Sequence, residues 1–153
     1  MHSIWRGMTR ITRQDLGLQM RIERKFTDAG QDAYAALNFV TTESEIRNPD
    51  GTIVFRLDEV EVPSTWSQVA SDVIAQKYFR KAGVPSKLRR VKEKGVPEFL
   101  WRSMPAEGAE IGGETSAKQV FDRLAGAWTY WGWKGGYFTT EEDARAYFDE
   151  MRF

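Results

Sequence analysis

The residues best placed to bind a charged ligand form a basic cluster in the middle of the chain. Residues 86–95 contain one acid, Glu93, and five basic side chains, which are Lys87, Arg89, Arg90, Lys92 and Lys94. Positive charges this close together could bind a phosphate, a nucleotide or an acidic partner. A solvated face or loop is the simpler interpretation, so the cluster supports a binding hypothesis without establishing one.

Other candidate motifs have simpler structural explanations. Gly112-Gly113 and Gly135-Gly136 match neither GxGxxG nor GxxxxGK[ST], the motifs that cradle phosphates. Glu141-Glu142 falls at a predicted helix start, where the helix dipole favours acids. Six aromatic residues at positions 128–138 could stack on bases or sugars. Their helical spacing, with no basic stripe beside them, instead predicts a hydrophobic core.

The composition excludes several kinds of active site. The chain has no cysteine, so it contains no disulfide, no thiolate metal site and no cysteine nucleophile. Its one histidine is His2, which excludes a histidine-rich metal site and makes a Ser–His triad implausible. We therefore assign no catalytic, cofactor-binding or metal-ligating residue to this sequence.

Charge and hydropathy narrow the class of protein further. Basic and acidic residues balance at 22 each, which gives no electrostatic reason to expect a nucleic-acid partner. No apolar run approaches the roughly 18 residues of a membrane span, so no membrane is expected. A chain of 153 residues with 13% aromatics can bury one domain core, and the lack of cysteine fits the cytoplasm.

The strongest helix prediction covers residues 116–134. Ser116 and Gln119 have the spacing of a capping box, and Gly135-Gly136 provides a stop. Apolar residues at helical spacing predict one buried face, made of Val120, Phe121, Leu124, Ala125, Trp128 and Trp131. The charged residues that fall on other faces, and that we expect to stay solvated, are Lys118, Asp122 and Arg123.

Strands are predicted before this helix. Asn48–Gly51 combines proline and glycine as a turn requires, which predicts a β-hairpin over residues 46–62. Residues 34–42 could form another strand. Ser64 is the expected cap of a second helix, whose predicted buried stripe is Trp66, Val69, Ala70, Val73 and Ile74.

The remaining segments complete an α+β prediction. Residues 97–103 are expected to form a short helical turn that packs Phe99, Leu100 and Trp101 inward, and residues 104–115 a surface loop. Thr139 and Glu142 are the expected capping box of a last helix. We thus predict a mostly helical α+β fold with a small N-terminal β-hairpin sheet.

Two long strings resemble a known enzyme family. They are SEIRNPDGTIVFRLDEVEVPSTWSQVASDVIAQKYFRKAGVP at residues 44–85 and GGETSAKQVFDRLAGAWTYWGWKGGYF at residues 112–138. In order and spacing they resemble the N-terminal region of adenosylcobalamin-dependent (class II, vitamin B12-dependent) ribonucleotide reductases. The resemblance begins near Met20 and runs to Phe153.

The resemblance implies a much longer parent enzyme that makes deoxyribonucleotides from ribonucleotides. In that family adenosylcobalamin generates a cysteine thiyl radical, and two further cysteines supply the electrons. Those residues lie downstream of the matched region, so the chain alone is expected to be inactive. Its implied partners are the catalytic barrel that it packs on, the ribonucleotide substrate and nucleotide effectors, and a homo-oligomer is possible.

The resemblance also suggests how the chain is divided. Residues 20–153 would be an N-terminal domain truncated before the catalytic barrel. Residues 1–19 would be a loose leader, or the product of a start codon assigned too far upstream. A stand-alone interaction module that binds a protein or a nucleotide is the alternative, and an in-frame continuation of the gene would distinguish the two.

Overall fold

The computed structural model describes Gly17 and residues 19–153. The strands are β1 (Phe39–Arg47), β2 (Ile53–Pro63), β3 (Val84–Pro85), β4 (Leu88–Arg90), β5 (Ser103–Pro105) and β6 (Ile111–Gly112). The helices are α1 (Gln68–Val73), α2 (Ala117–Lys134) and α3 (Glu141–Arg152), with a π-helical turn at Ile74–Tyr78 and a 3-10 turn at Glu98–Leu100. The predicted α+β class is confirmed, and the predicted leader lies, except for two residues, outside the described part of the chain.

Strands β1 and β2 pair antiparallel across a tight turn. Asn48 N–H donates to the Thr52 carbonyl at 2.8 Å, and Gly51 between them has φ +86°, which glycine adopts at little cost. The strand before the turn begins at Phe39 rather than at Tyr34. Tyr34 lies in a turn instead, where its hydroxyl donates to Asp122 at 3.0 Å, so a tertiary contact displaces it from the sheet.

The main core lies where β2 meets α1 and α2. Val60 and Val62 point from β2 into this core, and Val120 meets them from α2. The other buried members are Ile74, Ala75, Phe79 and Ala117. The alternation of Val60 and Val62 with Glu59 and Glu61 explains why one face of this part of β2 is apolar.

Helix α1 begins three residues later than expected. Ser67, not Ser64, is the cap, and its hydroxyl accepts a hydrogen bond from the Ala70 N–H at 3.3 Å. Ser64 is occupied elsewhere, since its N–H donates to the Asn38 carbonyl at 2.8 Å and extends the sheet region. The predicted buried stripe is also wrong in part, because Val69 is 72% exposed and Val73 is 48% exposed.

Helix α2 has the predicted start but a different buried face. The capping box of Ser116 and Gln119 is confirmed. The buried residues are Ala117, Val120, Ala125 and Thr129, whereas Trp128 and Trp131 are 41% and 65% exposed. The prediction that both tryptophans are core residues is therefore wrong. The buried face of α2 is set by its contacts with two neighbours, β2 and α3. The period of the sequence does not specify where these neighbours lie.

Lys118 and Arg123 of α2 are less solvated than expected, whereas Asp122 is exposed as predicted. Lys118 Nζ pairs with Glu61 Oε1 on β2 at 2.8 Å, and it also lies over the ring of Phe39 at 4.0 Å from the centroid. The Ser116 hydroxyl donates to the same Glu61 carboxylate. Glu61 thus joins the start of α2 to the strand pair.

Helix α3 packs antiparallel to α2, since Arg152 at its end reaches Asp122 near the start of α2 at 3.3 Å. Its capping box is Thr140 and Asp143, one residue later than the predicted Thr139 and Glu142. The shift has a tertiary cause. Thr139 instead hydrogen-bonds Met20, with its N–H donating to the Met20 carbonyl at 3.1 Å.

The region between α1 and α2 contains two further small sheets. Strands β3 and β6 pair, and so do β4 and β5, so the surface loop predicted for residues 104–115 is partly strand. The helical turn predicted at 97–103 is present as the 3-10 turn. Leu100 in that turn is buried, and the Trp101 indole N–H donates to the Val96 carbonyl at 2.9 Å.

Candidate functional site

A cleft of about 740 Å³ separates the small sheets from α2 and the end of α3. Five arginines line it, namely Arg80, Arg90, Arg102, Arg123 and Arg152. Only two carboxylates line it with them, Glu114 and Asp122. The cleft therefore carries an excess of positive charge in a chain that is neutral overall. Such an excess favours an anionic ligand.

Two of the five arginines are neutralised within the protein. Arg123 Nε donates to Glu114 Oε1 at 2.8 Å, and Glu114 is buried with 4% exposure. Arg152 donates to Asp149 at 2.8 Å and to Asp122 at 3.3 Å. Burial tends to lower the pKa of Arg152, but its bonds to Asp149 and the charge of Asp122 raise it above the usual value. These two pairs are structural.

The other three arginines are free to bind an anion. Within residues 19–153, Arg80, Arg90 and Arg102 have no carboxylate at ion-pair distance. All three side chains belong to exposed residues. Arg90 is oriented by one hydrogen bond, from Nη1 to the Glu98 carbonyl at 2.7 Å.

Aromatic residues supply the apolar part of the cleft. Trp131 is 65% exposed, and Tyr130 and Trp101 are half-buried beside it. The Tyr130 hydroxyl donates to Glu93 at 2.9 Å, and this bond raises the pKa of the tyrosine, with burial adding to it. The aromatic cluster predicted as core is thus divided. Phe138 is buried, whereas Trp131 faces the cleft.

The basic cluster predicted from the sequence is only partly in this cleft. Arg90 lines it, but Lys87, Arg89, Lys92 and Lys94 do not. Arg89 and Arg90 are neighbours on β4, and successive side chains of a strand point to opposite faces. Sequence reasoning missed Arg80 and Arg102, because each is isolated from the cluster and gives no pattern of its own.

A second surface, the apolar groove, lies between α1 and α2 and has a volume of about 500 Å³. It is lined by Trp66, Ser67, Val69, Ala70, Val73, Ile74, Tyr78, Val120, Phe121 and Leu124. No charged residue lines it, and Val69, Val73 and Tyr78 are exposed. Val69 and Val73 were predicted to be buried, so their exposure marks a face that can bind an apolar partner.

The glycine pairs and the acidic pair have structural roles. Gly113 packs so closely that a Cβ there would lie 3.1 Å from the Arg80 carbonyl oxygen. Gly136 has φ +67° in the turn after α2. Glu142 pairs with Arg24 at 2.9 Å. None of these residues forms a phosphate loop.

Metal binding and membrane insertion find no support in the described residues. No group of three or more His, Cys, Asp or Glu side chains in that part of the chain is arranged to hold a metal ion. None of the helices there is long and apolar enough to cross a membrane. His2 lies outside the described residues.

Comparison with known proteins gives a consistent result. A family model described as class II vitamin B12-dependent ribonucleotide reductase matches residues 40–153. The chain is 63% identical over 142 residues to the vitamin B12-dependent ribonucleotide reductase of Bradyrhizobium diazoefficiens, covering 88% of this chain and 11% of that protein. It is 58% identical over 142 residues to the Agrobacterium fabrum protein of the same name, with the same two coverages.

A more distant relative agrees. The vitamin B12-dependent ribonucleotide reductase of Rhodopirellula baltica is 27% identical over 133 residues, which is 86% of this chain and 10% of that protein. The chain thus spans about 11% of the length of the first two relatives.

Proposed function

The chain belongs to the class II vitamin B12-dependent ribonucleotide reductases, and we propose that residues 20–153 serve as a docking domain at the N-terminal end of such an enzyme. The parent enzyme would reduce ribonucleotides to deoxyribonucleotides in the cytoplasm. Its substrate and effector nucleotides, and any homo-oligomer, would be contacts of the parent enzyme.

The apolar groove is the observation that carries this proposal. Val69 at 72% exposure and Val73 at 48% exposure stand on one wall, and half-buried Phe121 and Leu124 stand on the other. An apolar face of this kind is unfavourable in water and is stabilised when a partner covers it. The partner we propose is the remainder of the reductase chain, which in the relatives is about nine-tenths of the polypeptide.

The reaction itself would take place outside this chain. Radical reduction of a ribonucleotide in this family, as the resemblance implies, requires cysteine thiols, and this chain has none. The donor set of the described residues does not fit a cobalt ligand either, since it contains no histidine or cysteine and no metal-binding cluster. We therefore derive no step through adenosylcobalamin from these residues, and the chain alone should be inactive.

Complementation in trans would test the docking function. The Bradyrhizobium diazoefficiens relative is prepared without the region that matches this chain, and deoxyribonucleotide formation is measured with adenosylcobalamin and a thiol reductant. We expect little product from the truncated reductase, none from this chain alone, and recovery when the two are mixed.

Variants of α1 and the turn after it identify the surface. Val73→Asp places a charge in the apolar groove and should abolish recovery, because burying an unpaired carboxylate is unfavourable. Lys77→Asp is the matched control, since Lys77 is exposed and lies outside the groove. Equal recovery of reductase activity with both variants would contradict docking through the apolar groove. Product formed by this chain alone would contradict the proposal that the reaction takes place in the remainder of the reductase.

A further inference from the structure

The apolar groove continues along the outer face of α2 as a row of apolar side chains, which we call the α2 stripe. Its members are Phe121, Leu124, Trp128 and Trp131. We infer, resting on the proposed docking function, that one amphipathic helix of the reductase remainder binds along the apolar groove and the α2 stripe together. This names the kind of segment that docks and the length of the surface that it covers.

The four side chains of the α2 stripe lie on one face of the helix. Successive members are three or four residues apart, and at about 100° of rotation per residue they fall within an arc of about 80°. Phe121 and Leu124 also line the apolar groove, whereas Trp128 and Trp131 lie beyond it. The stripe therefore begins in the groove and extends toward the end of α2.

Exposure increases along this face of α2. Ala117, at the start of the face, is fully buried, Phe121 and Leu124 are half-buried, and Trp128 and Trp131 are 41% and 65% exposed. A contiguous exposed apolar patch marks a binding surface, and tryptophan is enriched among the residues that dominate binding energy. The face that the sequence pattern predicts as core is thus covered by the described residues only in its first half.

A helix fits this surface better than an extended segment does. Between the ends of α2, its backbone N–H and carbonyl groups are bonded within the helix, so the stripe has none to offer to a strand. The lining of the apolar groove contains no charged side chain, and its Ser67 hydroxyl already accepts a hydrogen bond from the Ala70 N–H. An extended segment would bury unpaired backbone groups here, whereas a helix satisfies its own.

The same geometry defines the partner segment. The α2 stripe extends ten positions, from Phe121 to Trp131, which is about 15 Å along the helix axis. A helix laid along it needs apolar side chains at three- and four-residue spacing over about three turns. One end of that helix enters the apolar groove beside Val69 and Val73, which are exposed there. The source of the segment is the remainder of the reductase, about nine-tenths of the polypeptide in the relatives.

Photo-crosslinking within one polypeptide tests the inference. The Bradyrhizobium diazoefficiens reductase is prepared with this chain in place of the region that matches it at 63% identity. Benzoylphenylalanine then replaces each member of the α2 stripe in turn, and mass spectrometry identifies the residues to which it crosslinks. We expect all four positions to crosslink to one segment of the remainder, at sites that advance by three or four residues and spread over about ten.

An extended segment would give a different pattern of crosslinks. At about 3.3 Å per residue it would pass the α2 stripe in about five residues, so sites confined to five neighbouring residues would contradict a helix. Sites scattered over several segments, or on a second copy of the protein, would also overturn the inference. Glu141 is the control position, because its side chain is 56% exposed on α3 and lies off the stripe. The same crosslinks from Glu141 would show that the stripe is not selected.

Substitutions distinguish a failure of this inference from a failure of the docking function. Trp128→Asp and Trp131→Asp should each reduce recovery in the complementation assay about tenfold or more, whereas Lys77→Asp should leave it unchanged. Trp131 is 65% exposed, so its variant keeps the test decisive if Trp128→Asp does not fold. Full recovery with Trp131→Asp but none with Val73→Asp would contradict the helix along the α2 stripe and leave docking through the groove standing. Full recovery with Val73→Asp would contradict both.

Discussion

Arg24 and Asp149 are 125 residues apart in the sequence, yet Arg24 Nη1 donates to Asp149 Oδ2 at 2.9 Å. Both side chains are largely withdrawn from solvent, at 14% and 8% exposure. The same carboxylate accepts a hydrogen bond from Arg152 at 2.8 Å. One buried acid therefore bonds two guanidinium groups, each of which has a second and more exposed carboxylate partner, and it attaches the N-terminal segment of the described chain to α3.

Removing this acid should destabilise the protein strongly. Asp149→Ala removes the more buried carboxylate from Arg24 and from Arg152 and leaves them with the more exposed Glu142 and Asp122, so we expect the free energy of unfolding to fall by about 1.5–3 kcal/mol. Urea denaturation followed by tryptophan fluorescence measures the loss. Glu141→Ala is the control, since its carboxylate is 56% exposed and 3.8 Å from Arg145, and it should cost about 0.5 kcal/mol or less. Similar losses of stability in both variants would contradict the proposed role of Asp149 in attaching the N-terminal segment to α3.

Two further acids should make the attachment of the N-terminal segment sensitive to pH. Burial raises the pKa of Asp143, but bonds from Thr140 and the Ile22 N–H outweigh burial and lower it. Burial likewise raises the pKa of Glu150, while bonds from Thr27 and the Phe26 N–H bring it below its usual value. Because both values are lower in the folded state, their stabilisation is full above the unfolded pKa of about 4 and is lost as pH falls through the folded value.

The measurement is hydrogen exchange, expressed as protection factors so that the intrinsic pH dependence is removed. Protection of the Ile22 and Thr27 amides should decrease between about pH 5 and pH 2, since both donate to these carboxylates. The Phe79 amide, which donates to the Ile74 carbonyl at 3.0 Å, has no carboxylate partner and should lose protection later. Simultaneous loss at all three amides would indicate global unfolding instead.

Two glycines of α2 should respond oppositely to alanine. A Cβ at Gly126 would lie 3.7 Å from Phe148 Cε2, an ordinary contact, so Gly126→Ala should stabilise the helix by up to about 1 kcal/mol. A Cβ at Gly132 would lie 2.7 Å from Phe138 Cε2, and Phe138 is buried, so Gly132→Ala should cost about 1–3 kcal/mol. Thermal midpoints of the two variants test this, and a rise in both would show that Phe138 can move aside.

Two valines should separate folding from docking. Val120 is 2% exposed in the core, and Val120→Ala should lower the free energy of unfolding by about 2 kcal/mol. Val69 is 72% exposed, and Val69→Ala should cost about 0.5 kcal/mol or less. Val69 lines the apolar groove, so its variant should instead weaken recovery of activity in the complementation assay. A large loss of stability at Val69 would mean that the groove is closed in solution.

Local features of the fold follow from the sequence because their causes are local. The Ser116–Gln119 capping box and the turn at Gly51 depend on residues within a few positions of one another. The family assignment can also be made from the sequence, since it rests on two long continuous stretches, residues 44–85 and 112–138. The absence of cysteine is likewise read directly from the composition, and it places the proposed thiol chemistry outside this chain.

The tertiary structure decided which side of each element is buried. The period of α2 identifies an apolar face, but contact with both β2 and α3 rotates Val120, Ala125 and Thr129 inward and leaves Trp131 exposed. Thr140 rather than Thr139 caps α3, because Thr139 is hydrogen-bonded to the carbonyl of Met20, a residue 119 positions away. Arg80, Arg90 and Arg102 come from separate segments of the chain and line one cleft together with residues of α2 and α3. Such contacts join distant segments, so no local pattern of residues specifies them.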